Sequence, residues 1–215
     1  SLREAYKASM KKHNVAVSSV AMGLLNGYPN ATDERAQGWL EQTIEGTADL
    51  GASVILMAFF NKGDLRDKDK KAKTKMIDAM VERLKDAAPK AEKAGVILGL
   101  ENSLDGKSNM AILDRVQHDS VRYYYDVGNL THYHYDVPGD IRMMGDRICQ
   151  IHFKDYDDYL GIGEVDMDPV AKAIQDIDYS GWIVLETKVL SGDRDADFRR
   201  NAAYTRKLMG MDRAS

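Results

Sequence analysis

VILGLE at 96–101, VRYYYD at 121–126, ICQIH at 148–152 and WIVLE at 182–186 are four apolar runs, each closed by a side chain that can bind a metal ion. Strands covered on both faces of a parallel sheet read as continuous apolar stretches of this kind. In a barrel of parallel strands the carboxyl ends point toward one mouth, so residues distant in sequence meet there. Glu101, Asp126, His152 and Glu186 are therefore expected to converge.

Working outward, the same alternation continues. Residues 2–12 read as a short amphipathic helix and VAVSSVAM, 15–22, as a buried strand. Thr32 or Asp33 is placed to cap a helix that ends near Leu50, and SVILMAFF at 53–60 is a further buried strand. Residues 61–75 carry a dense charge run, read as a solvated loop and helix start. Beyond it, Met76, Met80, Leu84 and Ala88 recur at helical spacing and predict the sheet-facing stripe of a helix over 74–94. A short loop and helix are expected within 103–117, and helices at 141–147, 168–177 and 196–209. Strand, helix and short loop in alternation predict an α/β fold with a parallel sheet in a single domain over 1–215.

Composition limits the function. The 215 residues suit one core, and 44% of them are hydrophobic. A net charge of -4 leaves no broad basic face for a phosphodiester backbone, so nucleic acid is not an expected partner. No apolar run has the length of a membrane span, and the N-terminal stretch is too polar for a signal peptide. A single cysteine, Cys149, rules out an internal disulfide and is expected to be buried and inert. This usage fits a reducing, cytoplasmic setting.

Three carboxylates and one imidazole form an oxygen-rich donor set, suited to Mn²⁺, Mg²⁺ or Co²⁺, with Zn²⁺ also compatible. An acidic residue at one strand end is ordinarily just solvated. Four donors on four strand ends make the metal reading the stronger one.

The series GLEN, YYDVGN, QIHFKD, LGIGEVD and IVLET resembles the sugar phosphate isomerase/epimerase superfamily, the xylose isomerase-like TIM barrels. The resemblance implies a TIM-type (β/α) barrel. It also implies that Glu101, Asp126, His152 and Glu186 bind one divalent ion, with Glu101 and Glu186 doubling as an acid/base pair. Lys154, Asp155 and Asn129 are the candidate substrate contacts. Lys154 and Asp155 resemble the family's common motif, with Lys154 suited to a substrate oxygen or phosphate or to a salt bridge. Asn129 is suited to a substrate hydroxyl or to stabilising its loop, and the implied substrate is a sugar or sugar phosphate. Relatives begin with two strand-helix units that are not found here, which makes VAVSSVAMG their third strand. Six strands against the eight of a closed barrel leave an edge that a second copy would cover in a homodimer. A metal-dependent dehydratase on the same fold, and a non-catalytic barrel that keeps its metal, stay open as alternatives. A nuclease of the same fold needs further histidines and a basic face, which the sequence lacks.

Overall fold

Sheet order follows chain order in the structure, a computed structural model that describes residues 1–211. The strands are β1 (Val20–Ala21), β2 (Val54–Phe59), β3 (Ile97–Asn102), β4 (Val121–Asp126), β5 (Ile148–Phe153) and β6 (Ile183–Leu185). Pairs β1–β2, β2–β3, β3–β4 and β5–β6 are parallel. With helices between the strands, the α/β class expected from the sequence is the one observed. By internal contacts the chain divides into two compact units, Ser1–Tyr124 and Tyr125–Ser215.

In the first unit, β2 buries every residue except the half-buried Leu56 and runs in register with β3 from Val54↔Ile97 to Phe59↔Asn102. Helix α2 (Ala36–Asp49) packs on β2 and helix α3 (Thr74–Lys93) on β3. The apolar face of α3 is Ile77, Met80, Val81, Leu84, Ala87, Ala88 and Ala91. Met76, expected in that stripe, is half-buried, because Ile77 fills its place in the i, i+3, i+4 pattern. Helix α4 (Gly106–Val116) begins at Asp105, whose carboxylate accepts the Ser108 N–H at 2.6 Å.

The first expected strand shrinks to two residues. Helix α1 (Leu2–His13) ends at Asn14 in the left-handed region, and both the Asn14 and Val15 N–H groups bond back to Met10 O. Val15 is thus held by the helix end and is exposed. Only Val20 and Ala21 reach the ladder with β2. No α1 residue is buried; Arg3 and Lys7 pair with Asp49 at the end of α2.

The second unit contains α5 (Val127–His132), α6 (Val137–Met144), β5, α7 (Met167–Asp176), β6 and α8 (Arg194–Leu208). Helix α5 was not expected from the sequence, and α6 starts four residues before the expected 141–147 because Asp136 caps it through the Gly139 N–H. Strand β6 pairs Ile151↔Ile183 through Phe153↔Leu185. Cys149 is partly exposed rather than buried.

Candidate metal centre

β5 supplies the fixed point of the centre. His152 is 5% exposed, one residue before the strand ends. The register places it opposite Val184, and the Glu186 N–H then bonds to Phe153 O at 3.0 Å, which brings Glu186 alongside the end of β5. His152 Nδ1 lies 3.4 Å from Glu186 Oε2.

Asp126 has two roles because it is both the last residue of β4 and the N-cap of α5. Its Oδ1 accepts the Asn129 N–H at 2.7 Å. Its Oδ2 is buried, accepts no hydrogen bond, and lies 3.6 Å from His152 Nδ1. The α5 backbone reaches this position only because residue 128 is glycine: a Cβ there would stand 2.7 Å from Lys154 O and 2.9 Å from Lys154 Cγ. One close approach therefore sets both Asp126 and Lys154.

Asp126, His152 and Glu186 present ligand atoms within 4.8 Å of one another, and this cluster can hold one metal ion. The residues fit such an ion: a buried carboxylate oxygen without a hydrogen bond, an imidazole nitrogen and a half-exposed carboxylate face one another. Desolvation pushes the Glu186 carboxyl upward from its ordinary pKa, as does the nearby Asp126 carboxylate, while His152 and Lys154 oppose the shift. Lys154 Nζ sits 3.2 Å from Glu186 Oε2 and 3.9 Å from Asp126 Oδ2.

In the first unit, Glu101 occupies the corresponding strand end. It is 4% exposed, in register with Ala58 and next to the last residue of β3. Asn102 and Ser103, which follow it, are tied down. The Asn102 carboxamide donates to Asn109 and accepts from the Leu104 N–H. Ser103 Oγ donates to Asp64 at 2.6 Å and accepts from Arg66 Nε at 2.7 Å.

The remaining expected site residues take different places. Asn129 is buried, and its Oδ1 accepts from the Tyr156 hydroxyl at 3.4 Å. Asp155, read from the sequence as a substrate contact, is 2% exposed, and its carboxylate accepts the N–H groups of Gly161, Gly163 and Val165 at 3.0–3.2 Å. These bonds organise the β5–α7 loop. His132, which the sequence does not single out as a site residue, is exposed and stacks on Tyr156, with ring centroids 4.5 Å apart and planes at 30°.

Tyr156 itself was missed by the sequence reading. It has φ 46, in the left-handed region, and Lys154 Nζ lies 5.5 Å from its ring centroid. Burial raises the pKa of its hydroxyl, with smaller upward contributions from Tyr133, Asp126 and Glu186, so the phenol keeps its proton. Its place directly after HFKD was the one available signal.

Parallel strands in chain order, with an Asp/His/Glu cluster at their carboxyl ends, define the class: an α/β protein with a cluster that could hold one metal ion. The chain belongs to the xylose isomerase-like TIM barrel family, whose sequence profile matches residues 1–208. It is similar in structure to L-ribulose 3-epimerase (TM-score 0.83, 19% identity, 96% of this chain and 79% of that one). It is also similar to 3-keto-D-glucoside 4-epimerase from E. coli (0.82, 15% identity, 95% and 84%). A third similar structure is the IOLI protein, solved with a binding zinc atom (0.76, 15% identity, 99% and 83%). No curated protein matches the sequence. Among the described residues, no helix is long and apolar enough to cross a membrane.

Proposed function

We propose that the chain is a divalent-metal-dependent isomerase or epimerase of a sugar or sugar phosphate, working through an enediolate. Glu101, Asp126, His152 and Glu186 hold one ion, with Mn²⁺, Mg²⁺ or Co²⁺ preferred by the oxygen-rich donor set. The observation that carries the reading is the Asp126–His152–Glu186 cluster at the strand ends of this family's fold. The similarity to two sugar epimerases supports the same class.

When bound, the ion supplies Lewis-acid stabilisation of negative charge developing on the carbonyl oxygen. The protein's part is proton transfer and positioning. One of Glu101 and Glu186 removes the proton from the carbon next to the carbonyl, and the other returns a proton from the opposite face. The raised pKa of Glu186 suits a group that must both take up and release a proton. The Lys154 ammonium, within 3.2 Å of Glu186, is placed to hold a substrate oxygen as that carboxylate changes charge. Asp126 keeps its orientation through the α5 N-cap, so the ligand set changes little during proton transfer.

Metal content of the purified chain is the first measurement. About one ion per chain is expected, lost in a Glu101→Ala, His152→Ala variant. Exchange of a substrate C–H proton with solvent deuterium then tests the chemistry. Glu186→Gln should abolish that exchange, and retained exchange would refute the acid/base assignment.

A further inference from the structure

Tyr156 occupies a backbone conformation that an aromatic residue adopts only when its surroundings hold it there. The holding groups are identifiable. Asp155, one residue earlier, is anchored by the three amides of Gly161, Gly163 and Val165, and the Asp158 N–H bonds to Asp155 O at 3.0 Å. The far part of the loop is tied to α8, where Asn201 Oδ1 accepts the Leu160 N–H and Asp197 Oδ1 accepts the Tyr159 hydroxyl. On its other side, the Tyr156 ring rests on His132 and its hydroxyl donates to Asn129. Between this ring and the carboxylates of the metal centre lies Lys154. The result is a fixed wall that presents a phenol hydroxyl, a carboxamide and an ammonium beside the reacting position.

The charges around that wall exclude one class of substrate. Asp157 and Asp158 follow Tyr156 and are exposed, as is Glu164 further along the loop. Lys154 is paired with Glu186, and Lys188 with Asp157. A phosphate dianion at this rim would face the carboxylates of Asp157, Asp158 and Glu164, and Lys188 is already committed to one of them. A neutral hydroxyl group has no such penalty, and it matches donors and acceptors that both give and accept hydrogen bonds.

Resting on the proposed function above, we propose that Tyr156 is a specificity-determining residue that, with Asn129, reads a hydroxyl of an unphosphorylated sugar. This rim therefore selects a free ketose over its phosphate ester.

The test is binding of D-fructose and D-fructose 6-phosphate to the Mn²⁺-loaded protein, read by paramagnetic broadening of the sugar resonances. D-fructose should bind at least about tenfold more tightly than its 6-phosphate. Tyr156→Phe should weaken D-fructose about tenfold, the effect of losing one substrate hydrogen bond, with Mn²⁺ affinity unchanged. Preference for the phosphate ester, no D-fructose binding with Mn²⁺ in place, or unaltered binding in Tyr156→Phe would each overturn the proposal. Deuterium exchange reports separately on the reaction. Tyr156-dependent binding of D-fructose without exchange would break the proposed function and leave this assignment standing.

Discussion

Two charged loops leave the carboxyl ends of strands, one after β2 and one after β5, and aspartates organise them in opposite ways. In the loop at 61–73, Asp67 Oδ1 accepts the N–H groups of Asp69 and Lys71, two and four residues on, and an isolated bridge pairs Arg66 with Ala72. That tip is closed on itself by local bonds. In the loop at 154–166, Asp155 reaches six, eight and ten residues ahead, and α8 grips the far side. Local capture closes only the 67–71 tip, while Asp64 and Arg66 at the base of that loop tie to Ser103. Long-range capture fixes the loop to the body and so can hold Lys154 and Tyr156 at a site.

The largest expected effect tests this contrast directly. Asp155→Ala leaves three amides without their acceptor and should cost about 2–4 kcal/mol in urea unfolding. Asp67→Ala, whose amides are exposed and reach water, should cost about 0.5–1 kcal/mol. Equal losses would break the comparison.

Gly163→Ala comes next. A Cβ at 163 would overlap the Asp155 carboxylate, which cannot move because its bonds hold it. The expected cost is about 1–3 kcal/mol, with increased proteolysis within 156–165. An unchanged cleavage pattern would mean that the aspartate is not the anchor.

The smallest effect concerns two left-handed residues, Lys70 at φ 63 and Tyr156 at φ 46. Lys70 is exposed, so Lys70→Gly should stabilise by up to about 1 kcal/mol in thermal unfolding. Tyr156→Gly removes the same strain but also the His132 stack and the Asn129 bond, and should show no gain. A gain at both positions would mean that the Tyr156 ring contributes nothing.

Strand ends were legible in the sequence because burial on both faces writes itself as an apolar run, and the residue that breaks the run is the one at the mouth. Asp126, His152 and Glu186 could be placed in this way. The role of Asp155 could not, since its partners are backbone amides, and every residue type except proline carries one. Helix α5 was hidden because its six residues are too few to show a period. Residues 15–19 misled for the reverse reason: β-branched and small residues describe a strand equally well whether or not a neighbour pairs with them, and here the end of α1 holds Val15.

Gly128 has a consequence for how this site can change. Because one backbone contact locates both the Asp126 carboxylate and the Lys154 side chain, the ion-binding and oxygen-holding groups cannot be adjusted separately by substitution at 128. Any added carbon there shifts both groups at once. Variation that alters substrate choice must arise at positions such as 129, 132 or 156, and a specificity library built on this chain should hold 128 constant.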